Sequence, residues 1–372
     1  MSILAPDLGV RLQLWMGETL PVPVGREVIA ALQSVSVQSG GGDSDGFQLT
    51  FRAARDTVLD YSLIDTLGLM KRVSLGVLFG ARPEPLIEGV ITNHQFTPSG
   101  EPGASTLTVS GRDVSVMLDL EEKNYPYRNQ PDGVIAGRVL APYIEYGMVP
   151  APTQTTVVPI EVQEVPWQTG TDLAFLRHLA QRNGFVFYVR PVGFGASIAY
   201  WGPETRGAEL QPALTVGMGP HSNVEGLHFT TEALAPVGVK GSILEPTLGF
   251  TIPIPALPPL KVPPLALIPV PARRTRLKRD TAQASAASAA VSVVAESTNA
   301  PDAVTGSGQL DAVRYGRVLR ARERVGVRGV GITHDGLYYV ESVSHSISVG
   351  RFTTSFSLKR EGTWPLLPML PT

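Results

Sequence analysis

"TDLAFLRHLAQRNGFVFYV", residues 171–189, packs three signals into one short run. Thr171 is suited to cap the amides that follow it, and Asp172 favours the positive end of a helix. Leu173, Leu176, Leu179 and Ala180 recur on one side at helical spacing, and Gly184 supplies the stop. Phe185, Phe187 and Val189 then alternate with Val186, Tyr188 and Arg190, the period of a strand, and "SIAYW" (197–201) can return beside it after the turn "PVGFGA". A helix running directly into a strand differs from everything around it. The stretch therefore marks a small α/β unit, residues 116–205, set between two regions of another kind.

Upstream, Val134, Ile135, Val139, Leu140 and Ile144 keep a helical period from Asp132 to a stop at Gly147, and "VPAPTQTTVVPIEVQEVPW" is extended and broken by proline. Before that the chain reads as short strands at 9–16, 31–38, 46–52, 72–80, 86–96 and 106–113, with "SGGGDSDG" as a hairpin loop. That spacing predicts a barrel or sandwich ending near residue 115. Strands resume at 224–231 and 236–244 and close the chain at 337–349 and 351–360. Between these pairs lies an insertion, 246–312. Its first part, 251–272, holds 8 prolines and predicts an extended, polyproline-like arm. Residues 280–297 have helix propensity with Asp280 as a possible cap, though such a helix is marginal alone, and "PDAVTGSG" reads as linker.

Composition narrows the function. With 38 glycines, 32 prolines and 17% charged residues, the 372-residue chain suits many short strands joined by turns, in two or three domains. There are no cysteines, which excludes disulfides and thiolate metal sites. A formal charge of -2 is too small to advertise a polyanion binder. Residues 1–24 show no basic leader ahead of an apolar stretch, and no window approaches a spanning helix, so folding inside the cell without membrane insertion is expected.

Each motif has a plainer reading. "GDSDG" (42–46) matches the G-x-S-x-G pattern, but a strand rather than a helix follows Ser44, and its carboxylates fit a solvated turn. His94, His178, His221, His228, His334 and His345 show no i,i+4 pair and no H-E-x-x-H, so no metal is expected. "DLEEK" (119–123) suits an exposed face better than an acid/base couple. The basic run "RRTRLKR" (273–279), with Arg314, Arg317, Arg320, Arg322, Arg324 and Arg328, lacks the aromatic interleaving of a nucleic-acid surface and reads as solvated loop. Phe175, Phe185 and Phe187 sit at core periodicity. No catalytic residue and no cofactor are expected.

The order of "LIEGVITNHQF", "TLTVSGRD", "PDGVIAGRVLAPYIEYG" and "TDLAFLRHLAQRNGFVFYV", with terminal "GLYYVESVSHSISVGRFTTSFSLKREG", resembles the late control protein D family of contractile phage tails and the VgrG-like hub part of type VI secretion spikes. The resemblance covers most of 30–205 and 325–362. It implies a mainly β fold in which two tube-like antiparallel β-barrels, 1–115 and 206–245 with 313–362, flank the α/β insert. It also implies a structural baseplate hub: a homotrimeric ring adapting a sixfold tail tube to a threefold spike. Its partners would be tube protein, trimeric spike and other baseplate proteins, with nucleic acid at most as lumen cargo. Assembly would take place in the bacterial cytoplasm, and the product would be part of a virion tail or injection particle.

On that reading Leu176 and Phe187 brace one barrel against the next. The apolar tail 363–372, with Trp364, Leu366, Leu367, Met369 and Leu370, docks on the spike or an adjacent subunit. Because the chain stops soon after its last strand, the spike is expected to be a separate polypeptide. The competing classes are a tail-associated peptidoglycan hydrolase and a glycan-binding or adhesive β module.

Overall fold

The computed structural model describes residues 10–41, 45–53, 67–101, 104–158, 165–207, 209–244, 251–259, 261–278 and 286–366. In the first region β1 (Val10–Gly17), β2 (Val22–Pro23), helix α1 (Arg26–Ala31), β3 (Leu32–Gly40), β4 (Gly46–Arg52), β5 (Arg72–Phe79), β6 (Arg82–Thr97) and β7 (Thr106–Asp113) follow one another. Alternation does the sorting: in β4, Phe47, Leu49 and Phe51 are buried while Gln48 is exposed. The long β6 serves two neighbours, pairing β5 through Arg82–Val90 and β7 through Gly89–Thr97.

The middle unit comprises β8 (Glu122–Pro126), α2 (Asp132–Leu140), β9 (Met148–Pro152), β10 (Trp167–Thr171), α3 (Asp172–Asn183), β11 (Phe185–Gly193) and β12 (Ala196–Pro203). α3 starts and stops as its sequence dictates. Thr171 Oγ1 accepts the Ala174 amide at 3.2 Å, and Gly184 ends the helix at φ 70°. β12 lies between β11, antiparallel, and β9, parallel. Ile135, Leu140, Leu176, Leu179, Val189 and Trp201 form a core separate from that of the β regions. A leucine as fully buried as Leu176 contributes about 1.5–3 kcal/mol.

The last region holds β13 (Leu210–Thr215), β14 (Val224–Thr231), β15 (Val237–Leu244), β16 (Thr251–Leu257), β17 (Ala266–Pro269), β18 (Arg274–Leu277), α4 (Ala286–Thr298), β19 (Val304–Asp311), α5 (Ala312–Tyr315), β20 (Arg324–Arg328), β21 (Gly336–Ser348), β22 (Arg351–Arg360) and β23 (Gly362–Pro365). Three expectations change here. Residues 236–244, expected in the second β region, are β15 and form a separate sheet in the order β16-β15-β18. The proline arm supplies β16 to that sheet, at an edge, where a missing N–H is tolerated. "PDAVTGSG", expected as linker, contains the start of β19, which is bonded on both sides. Gly306 and Gly308 are there for packing: a Cβ on either would come within 2.8 Å of the Phe229 ring or 2.7 Å of the Phe356 ring. The predicted cap Asp280 lies outside the described residues.

The two β regions repeat strand for strand. β3, β4, β5, β6 and β7 correspond to β14, β19, β20, β21 and β22, paired among themselves in the same order and register. Gly46, Arg112 and Val90 line up across β4, β7 and β6 as Thr305, Lys359 and Tyr339 do across β19, β22 and β21. Bulges match too: Ile91/Asn93 in β6 with Val340/Ser342 in β21, and Leu32/Ser34 in β3 with Val224/Gly226 in β14. Met70 and Arg322, both left-handed at φ 62° and 65°, donate their amides to Ile91 and Val340, the residues that open the β6 and β21 bulges. One element departs, since β1 is antiparallel to β5 whereas β13 is parallel to β20.

The mainly β architecture around a small α/β unit is as expected. The two halves, however, belong to one thirteen-stranded sheet joined where β21 pairs β3, and among the described residues no strand path closes on itself.

Candidate assembly interface

The β3–β21 junction carries the geometry by which one half of the molecule meets another. Seven pairs, Ser342 opposite Gly40 through Ser348 opposite Ser34, zip the strands antiparallel. Val35, Val37, Val343 and Ile347 bury their side chains in the core that both halves share. His345 is buried among them, its Nδ1 2.9 Å from Thr354 Oγ1. Burial, reinforced by Arg320, pushes its imidazole down to about 4, so it is neutral at neutral pH and packs as an aromatic against Phe352.

Charges lock the same junction. Arg322 donates two 2.8 Å hydrogen bonds to the Asp45 carboxylate, and Arg320 pairs with Glu84. Each arginine precedes β20 in the second half, and each acid belongs to the first. The solvated turn expected for Asp45 is thus replaced by a buried tie, in which Asp45 also accepts the Gly40 amide at 2.8 Å. Behind it, burial and the neighbouring Asp45 push the Asp113 carboxyl up to about 6 against the hydrogen bonds from Ser115.

A second seam fixes the middle unit to the first half. Phe194, at the β11–β12 turn, stacks on Trp15 at 5.1 Å, and Gly195 donates its amide to Glu88 at 2.9 Å. Glu88 also accepts from Ser74 and faces Arg72 at 3.5 Å; burial outweighs these partners and holds its carboxyl at about 7. The insertion has its own anchor. Arg206 pairs with Glu204, Asp302 and Glu361, all at least largely buried, and Glu361 in turn accepts the Ala266 amide at 2.8 Å. Burial would raise the Glu204 carboxyl, but Lys359 and Arg206 hold it down at about 2.

Of the residues singled out by sequence, Leu176 is fully buried in the middle unit, where its carbonyl accepts the Trp201 indole at 3.0 Å, and Phe187 packs half-buried on that core. Outward of α3 lies α4: Gly184 and Ala295 approach so closely that a Cβ on Gly184 would sit 2.7 Å from Ala295. Trp364 lies in β23, which pairs with β17 of the insertion, and Leu366 directly follows it, both 41% exposed; Leu367, Met369 and Leu370 lie outside the described residues, as does Ser44. Sequence reasoning missed Asp45, Arg320, Arg322 and Arg206, because a paired buried charge and a solvated one look alike in a string. Arg320 and Arg322 stood in the string within a basic set, Arg314 to Arg328, that read as solvated loop, and nothing in its spacing set those two apart.

No family model matches the chain, and comparison with curated protein sequences gives no match. Solved structures do match in fold. The tail protein of Neisseria meningitidis MC58 is similar with a TM-score of 0.60 at 14% identity, over 96% of this chain and 98% of that one. The 43 kDa tail protein of prophage MuSo2 from Shewanella oneidensis is similar with a TM-score of 0.62 at 15% identity, over 94% and 98%. The E. coli c3393 protein, a component of the type VI secretion system with structural similarity to the T4 bacteriophage tail proteins gp27 and gp5, gives 0.55 at 14% identity, over 91% and 77%. This chain therefore has the fold shared by phage tail proteins and VgrG-related type VI secretion proteins.

Proposed function

We propose that the chain is a structural baseplate hub of a contractile tail or injection system, present as three copies in a ring that adapts a sixfold tube to a threefold spike. The internal repeat carries this reading. One chain offers two halves with matching strands, registers and bulges, so three chains offer six similar units to a tube while remaining threefold toward a spike. The fold shared with tail and secretion proteins supports the same reading. The role is assembly, within a tail or injection particle, and the partners are tube, spike and neighbouring baseplate proteins.

The apolar end that begins at Trp364 is proposed to meet the spike or the next subunit. Light scattering of the purified chain is expected to give three copies, and a particle map three around the axis. One or six copies around the axis would overturn the reading. A peptidoglycan zymogram is expected to stay blank, and a lytic band would replace assembly with catalysis.

A further inference from the structure

Within the five strands that repeat, two edges lack the partner that their counterparts have. β3 is bonded on both edges, to β4 and β21, whereas its counterpart β14 is bonded to β19 alone among the described residues. The second part of β21 is likewise bonded on both edges, to β22 and β3. Its counterpart in β6, from Asn93 onward, pairs β7 and has no strand on its other side among the described residues; there His94 Nε2 meets the Leu67 carbonyl at 2.7 Å. Exposure follows the missing strand. Val343 and His345 are 3% exposed, while His94, which matches Val343, is half-buried and Phe96, which matches His345, is 43% exposed. An open strand edge, here the eight residues of β14 and the end of β6 from Asn93 to Thr97, is a template for strand addition.

We propose that β14 of one copy adds antiparallel to the end of β6 and the two residues after it, 93–99, in the next copy, repeating between chains the junction that β3 and β21 make within one. Carrying the internal register across the repeat places Asn93 opposite Glu232, Gln95 opposite Thr230, Phe96 opposite Phe229 and Ser99 opposite Gly226. The two edges differ, so the contact is head-to-tail and propagates from copy to copy until a ring closes. It covers Phe96 and continues the thirteen-stranded sheet across the subunit boundary. The number of copies rests on the hub reading above, but the choice of edges rests on the repeat alone.

Because the chain has no cysteine, introduced pairs are its sole thiols. Residues directly opposite on antiparallel strands have Cα atoms about 4.5–5.5 Å apart, within disulfide reach. The full-length double variant Gln95→Cys with Thr230→Cys is expected to give covalent dimers and trimers on mild oxidation. Gln95→Cys with Glu225→Cys, out of register, is expected to give none. The two single variants mixed are expected to give dimers that neither gives alone. A trimer by light scattering without the in-register crosslink overturns the edge pairing and leaves the hub reading standing; a chain that is monomeric and uncrosslinked overturns both.

Discussion

The two halves of the repeat share strands and register but differ in what their first hairpin tolerates. Between β3 and β4 the chain spans residues 41–45, whereas between β14 and β19 the same position holds residues 232–303, with its own sheet, helix and anchor. Both described ends of that connection are held in the junction: Asp45 in the buried tie to Arg322, and Gly40 so close to β21 that a Cβ on it would sit 3.0 Å from the Ser342 Cα. Among the described residues β14 is bonded to β19 alone, so the second hairpin end carries no such junction. An insertion is accepted where the hairpin end is free, and a buried arginine then fastens it down.

The largest effect expected from breaking this comparison is at the junction. Val37→Asp buries an unpaired charge between β4 and β21 and should cost about 4 kcal/mol or more, read by urea unfolding. The matched change Phe229→Asp, at a half-buried edge position, should cost clearly less; equal costs would mean that β14 is already covered. Next comes the anchor. Arg206→Ala removes the guanidinium that ties Asp302, Glu204 and Glu361 together, leaving Glu204 to Lys359 and Asp302 to the more distant Lys261, and should cost about 3–5 kcal/mol. Limited proteolysis should then cut within 232–303 before it touches the first half, and uniform cutting would show that the anchor is not specific to the insertion.

Smaller is the titration of Asp113. Its folded carboxyl keeps its proton to about pH 6, while the unfolded chain releases it near the ordinary value of 3.8. Between those values the native state binds more protons, so this group lowers stability as pH rises, by up to about 3 kcal/mol, with no further change above the folded value. Asp113→Asn should flatten that slope in denaturation midpoints taken from pH 4 to 7, and an unchanged slope would assign it elsewhere. Smallest in stability is Phe96→Asp, expected within about 0.5 kcal/mol of the parent because the ring is exposed in one chain. Light scattering should nevertheless find it monomeric, in contrast to a change at its mate His345, which should impair folding itself.

Much of the molecule was legible in the string. The strands at 106–113 and 351–360 and the helix ending at Gly184 fall where alternation and capping put them. The repeat was not: residues 87–97 of β6 and 336–346 of β21 hold matching ladder positions, bulge included, without one residue in common. A ladder constrains backbone geometry and which face is apolar, and many residues satisfy both. β19 was hidden for a related reason, since glycines that admit the Phe229 and Phe356 rings look like linker glycines until the rings are in place. Leu176 was legible as an apolar helix position but not for what it touches, and its burial inside the middle unit came with the fold.

By itself, the sequence determined the strands and helices with a clear period or cap, their order and the absence of any thiol chemistry, because period, caps and composition act locally along the chain. Tertiary structure alone decided that distant strands form one sheet, that Asp45 and Arg322 meet, and that β14 and the end of β6 each keep an edge open among the described residues. Pairing between strands depends on backbone groups that every residue carries, so their partners are fixed only by the packing of the whole molecule.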